Sequence, residues 1–261
     1  MYSRESYGQL LREILENGYR VVDFAGLDLE SEERQVVLRH DVDFIPRLAL
    51  DMAEIDSSCG INATFFFLVR SHAYNLFSRP TLEVLDAIAR QGHAIGVHCA
   101  LPSSPPDTEG DLVNLVQQDV AIARLAFPRV APLFSWHSAP PAFFKRWAGL
   151  TVPGLVNAYD ERYFSRIAYV SDSVARRSLA DLREFFRRGT HRKVQLLLHP
   201  IIWICGGTTM MEVLSNAWHY FVRELELELK VNDAYRQQLP DGIPEDTIRA
   251  FAEALIGRGE R

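Results

Sequence analysis

The 261-residue sequence is poor in cysteine: three, at positions 59, 99 and 205, with no CxxC pair among them. An odd set without paired spacing argues against a disulfide framework and for a reducing compartment. Basic excess is also lacking. There are 28 Lys and Arg against 34 Asp and Glu, a formal charge of −6, which is not the electrostatic footprint of a nucleic-acid binder. No stretch reaches the ~18 consecutive apolar residues of a membrane span. The first twenty residues, MYSRESYGQLLREILENGYR, are polar and amphipathic without the apolar run of a secretion signal, so a soluble cytoplasmic protein is expected. Long low-complexity segments are missing, and hydrophobic residues make up 48% of the chain, ample for a packed core.

What the chain does have is a rhythm of apolar strands and amphipathic helices. Strand candidates fall at 36–44, 62–69, 93–99, 132–137, 154–160, 167–173 and 193–200. Helical spacing covers 4–17, 46–58, 81–92, 111–126 and 178–189, with long helices near 209–229 and 244–256 and a short one expected around 139–149. Strands separated by helices predict an α/β architecture, layered or barrel, with mostly parallel strands. No repeat and no linker interrupts it, so 1–261 reads as a single domain.

The stretch VVLRHDVDF at 36–44 poses the chemical question. Carboxylates are costly to bury without a partner, and strand alternation points Asp41 and Asp43 to the same side. Arg39 offers one structural explanation; a bound cation is another. The other strand ends favour the cation. His98, His137, Asp172 and His199 each stand at or near the C-terminal end of a strand, where a parallel barrel gathers its chemistry. Histidines and an aspartate there suit a divalent metal of the zinc kind. His40 points away from the two aspartates, His93 precedes its strand, and His72, His191 and His219 lie outside the pattern. Tyr74 and Trp136 are the aromatics placed for stacking on a sugar, and the 65–67 FFF run reads as core.

In this order the motifs resemble the polysaccharide deacetylases of the NodB-like type, carbohydrate esterase family 4. HDVD at 40–43 corresponds to the first motif, GHAIGVH at 92–98 to the second and LLLHP at 196–200 to the last, so the likeness runs from about 36 to 200. The resemblance implies a distorted (β/α)7-type barrel with extra N- and C-terminal helices. It implies Asp41 as catalytic base, Asp43 and His98 as metal ligands, His199 as general acid and Asp172 as the carboxylate tuning it. It also implies a divalent metal, zinc first, with nickel, cobalt or iron as alternatives. The reaction implied is hydrolysis of an N-acyl group, acetyl or formyl, from an amino sugar. With no secretion signal, a nucleotide-linked or lipid-linked sugar of surface-polysaccharide (O-antigen) biosynthesis is the expected substrate.

Two positions depart from the family. The second histidine of motif two, four residues after the first, is Pro102 here. Near the third motif, whose arginine steadies the base, FSWHSAPP presents His137 instead. His137 either supplies the missing coordination or orients Asp41. The departures keep open a non-catalytic descendant that binds glycan or metal on the same barrel, and a deacylase acting on a non-sugar amide.

Overall fold

Alternation within VVLRHDV sets the architecture. A computed structural model describes residues 1–104, 106, 108–173 and 178–257 and shows this stretch inside an eight-stranded sheet. The strands are β1 (Tyr19–Val22), β2 (Arg34–Val42), β3 (Thr64–Leu68), β4 (Ala94–Ala100), β5 (Leu133–His137), β6 (Val156–Asn157), β7 (Ala168–Ser171) and β8 (Lys193–Leu198). They run in the order β6-β5-β4-β3-β2-β8-β7, and every pairing between them is parallel. Strand β1 lies beside the first half of β2, Tyr19 level with Arg34, and β3 takes over that edge from Arg39 onward. Strands β6 and β7 end the sheet unpaired with each other, so the barrel is distorted and open.

Side chains of β2 divide strictly by parity. Val36, Leu38 and Val42 join the large core between sheet and helices, whereas Val37 joins a smaller cluster inside the barrel with Phe24, Phe66, Leu133 and Tyr163. Inside, Phe66 lies against Gly96, where any Cβ would come within 2.6 Å of its ring. The close approach of β3 and β4 therefore requires glycine at that position.

Helices pack on the outer face because their apolar stripes match it. In α1 (Arg4–Glu16), Tyr7, Leu10, Leu11 and Ile14 are all buried, each burial stabilising by about 1.5–3 kcal/mol. Ser3 caps this helix in a reciprocal box with Ser6. Pro46 opens α2 (Pro46–Ser58) at its first turn, where a missing N–H costs nothing. Further helices are α3 (Arg79–Arg90), α4 (Glu109–Ala126), α5 (Pro141–Trp147), α6 (Glu161–Phe164) and α7 (Leu179–Arg188), followed by α8 (Pro200–Cys205), α9 (Met210–Leu229), α10 (Asp233–Gln238) and α11 (Glu245–Gly257). None among the described residues is long and apolar enough to cross a membrane.

The seven expected strands are present. The four-residue β1 was not expected, nor were α6, α8 and α10. Pro200 starts α8.

Candidate active site

All strands point the same way, so their C-terminal ends share one rim, and Asp41, Asp43, His98, His137, Asp172 and His199 all lie there. Below them the barrel is apolar, built on Val37, Phe66 and Leu133. One level up comes Arg39, fully buried, donating through Nη1 to Gln195 Oε1 at 3.2 Å and through Nη2 to the Tyr159 hydroxyl at 3.0 Å. Its guanidinium also lies over the Tyr159 ring, 4.6 Å from the centroid.

Alternation places Asp41 directly above Arg39 on the same strand. Both carboxylate oxygens accept from that guanidinium, Oδ2 from Nη2 at 2.6 Å and Oδ1 from Nε at 3.2 Å, a two-pronged pair that fixes the plane of the carboxylate. Burial alone would raise the Asp41 pKa; the charge of Arg39, with His98 and His199 beyond it, outweighs burial and holds the carboxyl below its usual range. The orienting partner of Asp41 is thus Arg39, two residues upstream, and not His137.

Asp43 stands at the next level. Its Oδ1 is 3.4 Å from His98 Nε2 and 3.2 Å from His137 Nδ1, and those two imidazole nitrogens are 3.2 Å apart. Sheet register brings the imidazoles together: His98 is level with Ser135, and Ala100 with His137. The ring of His98 is fixed from behind by a 2.7 Å hydrogen bond between Nδ1 and Ser135 Oγ, which leaves Nε2 facing the cluster. Ser138, just past His137, has a φ of +43°, a left-handed turn that serine adopts uncommonly.

Asp43, His98 and His137 form a group whose ligand atoms are close enough to hold one metal ion. Two observations fit a metal there. Asp43 Oδ1 is buried with no hydrogen-bond partner among the described residues, a costly state unless a cation answers it. Tetrahedral ligands about 2.0–2.1 Å from a zinc-like ion stand about 3.3 Å from one another. The three edges measured here, 3.2, 3.2 and 3.4 Å, match that spacing. Burial opposes ionisation of Asp43, but His137 and His98 prevail and push its pKa far below the carboxylate range.

On the other side of Asp43 stands His199, its Nε2 3.9 Å from Asp43 Oδ2. Its Nδ1–H donates to Asp172 Oδ1 at 2.6 Å. The second Asp172 oxygen accepts from the His199 backbone N–H and from the Trp203 indole, each at 2.9 Å. Burial would lower the His199 pKa; Asp172, followed by Asp43 and Asp41, reverses this and raises it to about 9.

Other expectations divide. His40 braces β2 from outside, sharing hydrogen bonds with Asp56 and with Tyr7, whose hydroxyl also donates to Asp56. His93 is a buried bracket, accepting from the Ala63 N–H at 3.1 Å. Stacking by Trp136 is ruled out, because the ring is buried between Phe134 and Phe143. Tyr74 is committed elsewhere too: its hydroxyl donates to the Val42 carbonyl at 2.9 Å and accepts from the Leu68 N–H at 2.7 Å. Pro102 is exposed, and His137 is the residue grouped with Asp43 and His98. In the loop at 101–106, Pro105 lies outside the described residues.

No family model and no curated protein matches this sequence. Among solved structures, it is similar to a mutant of BA3943 from Bacillus anthracis, a CE4 family pseudoenzyme with restored enzymatic activity, at 14% identity over 74% of this chain and 64% of that one, with a TM-score of 0.44. It is also similar to the peptidoglycan deacetylase Bd3279 of Bdellovibrio bacteriovorus, at 17% identity over 80% of this chain and 52% of that one, with a TM-score of 0.41. A third is IcaB from Ammonifex degensii, at 15% identity over 83% of this chain and 88% of that one, with a TM-score of 0.43. The chain spans less than two thirds of the first two structures, 64% and 52%.

Proposed function

We propose that this protein is a metal-dependent hydrolase that removes a small N-acyl group, acetyl or formyl, from an amino sugar. The observation that carries the reading is the triangle of Asp43 Oδ1, His98 Nε2 and His137 Nδ1, with edges of 3.2–3.4 Å around an unpartnered carboxylate oxygen. These three residues would hold the metal. Zinc suits the spacing and the mixed donor set best. A divalent ion bound there supplies Lewis acidity, drawing the pKa of a water toward 7 and polarising an acyl carbonyl.

Asp41 is the base. Held ionised by Arg39, it is too acidic to deprotonate ordinary water with ease, which is why it must work beside a cation. It takes one proton as water oxygen bonds to the acyl carbon. His199 is the acid. With its pKa raised to about 9 it is protonated at neutral pH, and it delivers that proton to the departing nitrogen as the C–N bond breaks. The products are a carboxylic acid and a free amino sugar, with every atom of water and amide accounted for. Asp172 holds the imidazole with its Nε2 toward the cluster and stabilises its charge.

The substrate on this reading is a small acylated amino sugar, nucleotide- or lipid-linked, of the kind used to build surface polysaccharides such as O-antigen. The motif resemblance over 36–200 supports the acylated amino sugar, and the linkage rests on analogy. The two paired groups, Asp41 with Arg39 and His199 with Asp172, support a working enzyme over a non-catalytic descendant.

The test has two readings. Elemental analysis should find one divalent ion per wild-type chain and a loss in Asp43→Ala, His98→Ala and His137→Ala. Wild type should release acetate or formate together with a primary amine from N-acylated amino sugars, and Asp41→Asn should not, although it keeps its metal. Equal metal in all four proteins, or release that survives Asp41→Asn, would overturn the assignment.

A further inference from the structure

Beside the candidate site lies a cavity of about 350 Å3 that the proposed hydrolysis does not use. Its walls grow from the same segments that carry the site. Phe44 and Ile45 follow Asp43 directly, and Ile201 lies two residues beyond His199. The loop bearing His72 and Ala73 is tied to the end of β2 by the hydrogen bond from Tyr74 to Val42. Helix α9 closes the far side with Leu214, Ala217 and Phe221. Trp218 completes that wall and is itself held between Phe221 and Phe251, with ring centroids 5.7 Å away on both sides.

The lining defines the ligand chemistry. Among the described residues the wall offers two polar side chains, His72 and the Trp218 indole N–H, so a sugar ring would leave most of its hydroxyls without partners. The mouth is apolar as well: Phe44 is 47% exposed and Leu214 45%. Single exposed apolar residues need no explanation, but two on the wall of one apolar cavity do. At about 30 Å3 per methylene-sized group, close to a water's share of the liquid, the space takes roughly ten carbons.

We propose that this cavity is a subsite for an aliphatic chain of about ten carbons carried by the substrate, whose polar head reaches the rim of the barrel. The proposal rests on the hydrolase reading for the location of that head. The chain is a lipid attached to the sugar, because the acyl group removed is only acetyl or formyl, and its chemistry is that of an unbranched hydrocarbon.

Binding of three probes tests it, measured by calorimetry on zinc-supplemented Asp41→Asn protein so that nothing is consumed. The probes are methyl N-acetylglucosaminide, decyl N-acetylglucosaminide and N-decanoylglucosamine. Decyl N-acetylglucosaminide should bind ten times more tightly than the methyl one, and a gain confined to N-decanoylglucosamine refutes the lipid. Ala217→Trp, which fills the cavity, and Leu214→Glu, a change at a half-exposed position that leaves the core intact, should each abolish that gain. Equal affinity for all three probes refutes the subsite, and so does a gain that survives both substitutions. Sedimentation with phosphatidylcholine vesicles in the absence of any decyl preference also refutes it and assigns the face to a membrane surface. Metal uptake and acyl release with no decyl gain leave the hydrolase reading standing alone. A decyl gain without metal uptake leaves the subsite standing and removes the hydrolase.

Discussion

Replacing Arg39 with Met tests whether the barrel interior is organised around the Asp41 carboxylate. Met keeps much of the aliphatic volume and loses the charge. Asp41, 3% exposed, would then be an ionised group without its cation, and the acceptors Gln195 Oε1 and Tyr159 OH would lose their donor. Breaking a buried ion pair from one side costs about 3–5 kcal/mol, most of it the penalty of the charge left behind. Adding Asp41→Asn removes that charge, so the double variant should cost less, about 1–2 kcal/mol.

The pH dependence gives a second signature. In wild type the folded Asp41 pKa lies below the unfolded value, so its stabilisation is complete above about pH 4 and fades as pH falls through the folded pKa. Without Arg39 burial is opposed only by His98 and His199, and the folded pKa is expected to rise above the unfolded one. The penalty in the variant is then largest at neutral pH and disappears as Asp41 takes up a proton on acidification. Denaturant unfolding followed by tryptophan fluorescence, with chelator present so that metal linkage does not enter, measures both effects. The reasoning fails if Arg39→Met loses under 1 kcal/mol at pH 7, if the gap does not narrow toward pH 4, or if the double variant costs as much as the single.

Further expectations concern the rim and its support. Asp172→Asn should bring the alkaline limb of kcat down from near pH 9, because burial is then opposed only by Asp43 and Asp41; an unmoved limb assigns that limb to another group. The raised folded pKa of His199 also contributes stability that is complete below about pH 6.5 and lost as pH rises through about 9, so the stability deficit of Asp172→Asn should shrink across that window. Ser135→Ala frees the His98 ring and should weaken metal binding by about 10–100-fold without unfolding the chain, measured by competition with a chromogenic chelator. Gly96→Ala drives a methyl against the Phe66 ring and should cost about 1–3 kcal/mol in the same unfolding assay. Wild-type stability in that variant would mean β3 and β4 can separate freely.

Strand ends were the most legible part of the sequence because polar residues closing an apolar run have few structural uses. Strand β1 was hidden by its length, four residues with only Tyr19 and Val22 buried, too short for a periodic signal. Helix α8 was masked by its own start, since proline after His199 signals a bend as readily as a first helical turn. At the end of α9, RELELELK reads as a solvated charged face, yet Glu226 is buried, held by Arg223 and the Ile243 N–H, while Leu225 and Leu227 are exposed. Nothing local announces that inversion. It depends on the chain returning at 243.

The role of Arg39 was half legible: alternation aligns 39, 41 and 43 on one face but does not say which group a guanidinium there will grip. Successive same-face residues on a strand are about 6.5 Å apart, a gap that an arginine spans and a lysine's single ammonium would not bridge with two bonds. Once Arg39 orients Asp41 from within β2, no arginine is needed at the end of β5. That position is free for His137, whose Nδ1 is 3.2 Å from both Asp43 Oδ1 and His98 Nε2. On the proposed reading, Pro102 in place of a ligand and His137 in place of an arginine are therefore one rearrangement: a local ion pair replaces a long-range one, and the strand relieved of that duty supplies the missing donor.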